Sequence, residues 1–179
     1  MSDRKTARGA VPAERGPTRS EGWRIDDATP ADVRALADLL ALLFEQEAEF
    51  APDRTRQLRG LAQIVGDPEL GRILVLRPVD AAKAPAGAAA PAGMVNLLFT
   101  VSTALGERVC LLEDMVVAPA WRAKGAGTRL LEAAIACARA EGCVRITLLT
   151  DGNNAAARRF YRRAGFVRSS MTAMRLALA

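Results

Sequence analysis

The segment of this chain best suited to chemistry is a glycine-rich turn set between an apolar strand-like run and an amphipathic helix. The stretch reads LLEDMVVAPAWRAKGAGTRLLEAAI, in which Leu111 to Val117 has strand character and Thr128 to Ala140 helical character. Between them lie Arg122, Ala123, Lys124, Gly125, Ala126 and Gly127. Glycines at such a junction let backbone approach a ligand closely, and the free N–H groups of a helix's first turn attract anions. A phosphate or pyrophosphate suits it, with a plain structural turn as the alternative. The GKS/T ending of a Walker loop and the three-glycine dinucleotide fingerprint are both missing.

The chain contains no histidine, which removes Ser-His-Asp triads, Cys-His pairs and His-ligated metals together. Proton transfer must fall to carboxylate, Tyr, Lys, Cys or water. Cys110, Cys137 and Cys143 are an odd number without CxxC spacing, so neither a disulfide framework nor a zinc site is indicated. They read as core residues in a reducing, cytoplasmic setting, and no metal is expected.

The elements that must hold these residues follow from periodicity. WRIDDAT from Trp23 is a short strand, and Thr29-Pro30-Ala31-Asp32 starts a helix carrying Leu36, Leu39, Leu40, Leu43 and Phe44 on one face. Asp53 to Val65 is a second helix, stopped by Gly66-Asp67-Pro68. Arg72 to Val79 and Gly93 to Val101 are apolar runs of strand length that predict a hairpin. The Ala/Pro/Gly stretch between them, Asp80 to Ala92, reads as a flexible exposed loop. Leu130, Leu131, Ala134, Ile135 and Ala138 line one face of the helix after the glycines, and Gly142 stops it. Val144 to Leu149 is a strand, Asn154 to Arg163 a shorter helix, and Met171 to Leu178 a final strand. The order β-α-α-β-β-β-α-β-α-β predicts an α/β fold with a central sheet and helices on its faces.

At 179 residues, half of them apolar and a quarter charged, the chain is expected to form one globular domain over residues 23–179. Met1 to Gly22 reads as a disordered basic tail without the apolar core of a signal peptide. Its five basic residues against three acidic ones supply +2 of the net +5, leaving a charge too mild to argue for nucleic acid. No apolar run approaches the ~20 residues of a membrane span.

Two motifs together carry a resemblance. Arg122-x-x-Gly125-x-Gly127 is similar to the Q/R-x-x-G-x-G/A pyrophosphate loop of the GNAT superfamily of acetyl-CoA-dependent N-acetyltransferases. Asn154-x-x-Ala157-x-x-Phe160-Tyr161-x-x-x-Gly165-Phe166 is similar to the motif downstream of it, and the resemblance covers roughly Trp23 to Leu178. It implies a GNAT fold, a mixed central sheet flanked by helices, with a splayed strand pair that holds the CoA. Backbone near Met115, Val116 and Val117 would meet the pantetheine amides, residues Arg122 to Thr128 would hold the pyrophosphate, and Asn154 would offer an amide to the pantetheine arm. Ala126 departs from the bulkier aliphatic residue that the family often has there.

The resemblance also implies roles for proton handling. Tyr161, the chain's single tyrosine, aligns with the family's general acid for the departing thiolate; a core aromatic beside Phe160 is the bland reading. Glu113 is favoured as the base, with strand alternation placing Asp114 on the opposite face. Glu45-Gln46-Glu47-Ala48-Glu49-Phe50 closes the first helix as either a lure for a cationic amine or a solvated helix end. The expected function is direct N-acetyl transfer from acetyl-CoA to a primary amine of a small molecule or protein, without nucleic acid or membrane. A homodimer is compatible with it. The alternative is a non-catalytic acyl-CoA-binding or regulatory module on the same fold.

Overall fold

The computed structural model describes residues 22–45, 52–79 and 91–178. The expected tail up to residue 21, most of the expected Ala/Pro loop and the acidic run beyond Glu45 lie outside them. The elements are β1 (Trp23–Asp27), α1 (Val33–Phe44), α2 (Arg54–Gly66), β2 (Gly71–Pro78), β3 (Gly93–Ser102), β4 (Glu107–Val117), α3 (Ala126–Ala140), β5 (Ile146–Leu148) and α4 (Ala155–Arg163). A single turn of 3₁₀ helix, Pro30–Asp32, leads into α1. There the Asp32 carboxylate accepts from the Thr29 backbone and hydroxyl at 2.8 Å each and from Arg77 Nη2 at 2.7 Å. Burial works against that charge, but the hydrogen bonds from Arg77 and Thr29 outweigh it and hold the carboxyl below its usual range.

The strands form one sheet in the order β1-β2-β3-β4-β5, antiparallel except for the parallel β4–β5 pair. Strict alternation on β2 divides the core. Ile73 and Val75, with Met94 and Val116, pack under Leu36, Ala37, Leu39 and Leu40 of α1 and Leu61 of α2. Leu74 and Leu76, with Val95, Leu97, Cys110 and Leu112, pack under Leu130, Leu131, Ala134 and Ala138 of α3. Burial on both faces explains why these strands read as continuous apolar runs.

Three sequence expectations change. β4 begins at Glu107, four residues before the apolar run at Leu111, because the turn at 103–106, with Gly106 at φ +68°, makes β3 and β4 a hairpin whose charged first residues pair with Val101 and Ser102. Ala92, expected in the loop, is buried: its N–H donates to Leu76 O and its carbonyl accepts from Ala118 N–H, both at 2.8 Å. The expected last strand is not formed. Residues 171–178 have no regular element and are exposed, because a strand exists only when its backbone groups find a partner, whereas an alternating pattern records only which face it would bury.

Candidate active site

β4 loses its partner half-way along. Its parallel pairing with β5 covers only Cys110↔Ile146, Leu111↔Thr147 and Leu112↔Leu148, while residues 115–117 remain paired with β3 on the other side. From Glu113 onward the strand therefore has no ladder neighbour on its β5 side among the described residues, which is the splay that the family resemblance implies.

A bulge sits at the same point. Leu97 pairs with Leu112 and Val95 with Met115, two steps on β3 against three on β4, so an extra residue is inserted at Glu113 and Asp114. Leu112 and Met115 consequently both pack toward α3 despite their odd spacing. The alternation expected to set the two acids on opposite faces is interrupted there. Glu113 is exposed, whereas Asp114 is half-buried and accepts from Asn96 Nδ2 at 3.4 Å. Asn96 lies between Val95 and Leu97, which face α3, so it points toward the α1 and α2 side of the sheet. Burial, with the charge of Glu113 adding to it and the Asn96 bond opposing it, pushes the Asp114 carboxyl up to about 6. Asn96 is 3% exposed, and its amide oxygen has no hydrogen-bond partner among the described residues.

Tyr161 approaches β4 from the α3 side. Its hydroxyl donates to Met115 Sδ at 3.9 Å, and its ring meets those of Phe160 and Phe166 edge-on, with centroids 5.2 and 5.7 Å away. Burial raises the phenol above its ordinary value, so it remains a proton donor at neutral pH.

The glycine turn closes the cluster. Gly125 takes the left-handed conformation at φ +81°, and no side chain among the described residues caps α3, which leaves the first-turn N–H groups to another acceptor. Gly127 faces Phe160 and Val117, a Cβ there falling 3.7 and 4.0 Å from their side chains. Strand end, turn and α4 thus converge. Arg122 Nε donates to Val117 O at 2.8 Å; Lys124 Nζ donates to Ala120 O at 2.9 Å and lies over the Trp121 ring. Asn154 caps α4, its side-chain oxygen accepting from Ala157 N–H at 3.0 Å, so only its amide nitrogen is left to face a ligand. Ala126 is buried and Thr128 exposed.

The sequence profile described as the acetyltransferase (GNAT) family matches residues 35–166. The chain belongs to the GNAT acetyltransferase family. It is 39% identical over 74 residues to the Bacillus subtilis (strain 168) protein named uncharacterized N-acetyltransferase YhfO, a match over 41% of this chain and half the length of that relative. A possible acetyltransferase from Clostridium difficile 630 superposes with a TM-score of 0.75 at 15% identity, over 89% of this chain and 99% of the other. Glucosamine-6-phosphate N-acetyltransferase from Arabidopsis thaliana superposes at 0.64 and 18% identity, over 87% and 99%. These two likenesses show the fold.

In this GNAT chain the two sequence motifs come together at Gly127, Val117 and Phe160, and Tyr161 reaches the splayed part of β4 through Met115. Asn96 was missed. Its signal was a lone amide in the apolar run GMVNLLFTV. The three cysteines are free thiols; Cys110 is pushed up to about 12 by burial, reinforced by its neighbours Cys143 and Cys137, and has no reactive thiolate. No group of acidic or cysteine side chains able to hold a metal occurs among the described residues.

Proposed function

We propose that this protein transfers the acetyl group of acetyl-CoA directly to a primary amine of a small molecule or protein. The observation that carries the reading is the loss of β4 pairing after Leu112, at the point where Glu113, Asp114, Met115 and Tyr161 collect. The open strand edge suits the amides of a pantetheine arm, because its groups there lack a ladder partner on the β5 side. The uncapped start of α3 suits the pyrophosphate. Acetyl-CoA would supply an activated thioester; the rest is done by the chain. Main-chain groups of residues 115–117 orient the donor, the Tyr161 hydroxyl gives its proton to the departing sulfur, and a carboxylate on β4 takes the proton of the attacking amine.

The sequence favours Glu113 as that base, acting directly or through water. A second reading is Asp114, which is half-buried, held by Asn96 and poised near pH 6, properties that suit a base near neutrality. With Tyr161 on the α3 face and Asp114 on the other, the open edge between β4 and β5 is where amine and thioester would meet. The test is thiol release from acetyl-CoA against polyamines, amino acids, aminoglycosides and peptide N-termini. Turnover with one amine class supports the reading; acetyl-CoA binding without thiol release for any amine favours the non-catalytic module.

A further inference from the structure

Asn96 occupies a place where a polar side chain is costly. It pairs with Ile73 of β2 and lies two residues from Met94, both packed in the layer under α1, and it is itself buried. A leucine of about the same size would leave no amide oxygen without a partner there. The bulge decides what the amide meets. Between the pairs Val95↔Met115 and Leu97↔Leu112, Asn96 alone stands against two residues, Glu113 and Asp114. Its Nδ2 donates to Asp114 Oδ2, and its Oδ1 is left over.

A carboxyl that gains and loses a proton changes what it needs from such a neighbour. The ionised form only accepts hydrogen bonds, whereas the protonated form also donates one. Lysine or arginine would serve the first form alone. A primary amide serves both, because Nδ2 donates to the carboxylate and, after a half-turn about the last torsion, Oδ1 accepts from the acid. That torsion is roughly two-fold and the two ends are nearly alike in size, so the half-turn leaves the packing as it was.

We propose that Asn96 is a positioning residue that keeps Asp114 hydrogen-bonded in both of its protonation states, its amide reversing when the carboxyl gains a proton. In the reaction the N–H bond of the attacking amine breaks, an O–H bond forms on Asp114, and Asn96 Oδ1 accepts from that O–H until the proton passes to water. This use rests on the reading of Asp114 as the base, whereas the pairing of amide and carboxyl does not.

Few other groups bear on the pair. Burial raises the Asp114 carboxyl most, the Asn96 contact opposes it, and the charge of Glu113 adds to it. Toward that side of the sheet α1 turns Leu36, Ala37, Leu39 and Leu40, and β2 turns Ile73 and Val75. Arg34 and Asp38 of α1 and Arg54, Arg56 and Arg59 of α2 are exposed, with Asp38 bound to Arg54. Tyr161 lies on the α3 side.

The test titrates the aspartate carboxyl carbons of the full chain by NMR, with Asp114 assigned by its absence from Asp114→Asn, beside the pH dependence of kcat/KM. Asp114 should titrate at about 6 in the unaltered protein. Asn96→Asp keeps the shape but sets two carboxyls together to share one proton, so the upper midpoint should rise by at least about 1 pH unit. Asn96→Leu should raise it by less, because the stronger bond lost to the anion is partly offset by the bond lost to the acid. Neutron diffraction of the unaltered protein at about pH 4 and about pH 8 reads the amide without any variant. Nδ2 should face Asp114 at the higher pH and Oδ1 at the lower. One orientation at both overturns the proposal, as does a midpoint that neither substitution moves, whatever happens to the melting temperature. If the carboxyl midpoint moves while the acidic limb of kcat/KM stays in place, the proposal stands and Asp114 is not the base.

Discussion

The Tyr161 hydroxyl rests on a thioether, which is a weak acceptor, so little is lost when it turns to a better one such as a thiolate. Tyr161→Phe keeps the ring packing against Phe160 and Phe166 and removes the donor. Turnover should fall by about 10² to 10⁴ while acetyl-CoA affinity measured by calorimetry hardly changes; an equal loss in both would make Tyr161 a binding residue. The two acids are separated by pH. If Asp114 is the base, Asp114→Asn removes the acidic limb of the rate profile near pH 6 and Glu113→Gln leaves it; the opposite pattern restores Glu113. Asp114 also has a stability signature. Its carboxyl is raised from 3.8 to about 6, so the favourable contribution is complete below pH 3.8 and is lost as pH rises through about 6. Asp114→Asn should therefore melt higher than the unaltered protein at pH 8, by up to roughly 3 kcal/mol, with the gain gone below about pH 4. Sequence placed both acids on the right strand. It could not choose between them, because burial and the Asn96 contact arise from a register that no local pattern encodes.

At the scale of elements, the turn and the start of α3 act as one unit. Gly127 has ordinary helical backbone, and the nearest atoms a Cβ there would meet, on Phe160 and Val117, lie at van der Waals distance, so Gly127→Asp adds a carboxylate without backbone strain. It should abolish the rise in melting temperature that acetyl-CoA gives the unaltered protein; an undiminished rise with the fold intact would remove the pyrophosphate assignment. Helices α1, α2 and α3 were legible because each carries an apolar stripe at helical spacing, and α3 has a local stop as well, with Leu130, Leu131, Ala134 and Ala138 before Gly142. Strands β2 and β3 were legible from apolar runs. The bulge at Glu113 and Asp114 was not, since an inserted residue is defined only against its partner strand, and the fate of residues 171–178 depends on a neighbour that their own sequence does not specify.

For the molecule as a whole, the sheet is a partition. Leu36 and Leu130 are both fully buried but belong to layers on opposite faces of it. Leu36→Ala and Leu130→Ala should each cost about 2 to 5 kcal/mol in urea unfolding, and the double variant should lose their sum to within ~0.5 kcal/mol. A larger departure would mean that the two layers act as one core. One contact spans the molecule differently. The chain's two tryptophans, Trp23 at the start of β1 and Trp121 in the approach to the glycine turn, meet edge to face with centroids 5.1 Å apart, and Lys124 lies over the second ring. Indole fluorescence of this protein therefore comes from a single spot beside the turn, with an ammonium close by. A ligand that draws Lys124 away from Trp121 changes the emission directly, so occupancy of the turn can be followed optically without a label, and Trp121→Phe should silence the response while leaving binding in place.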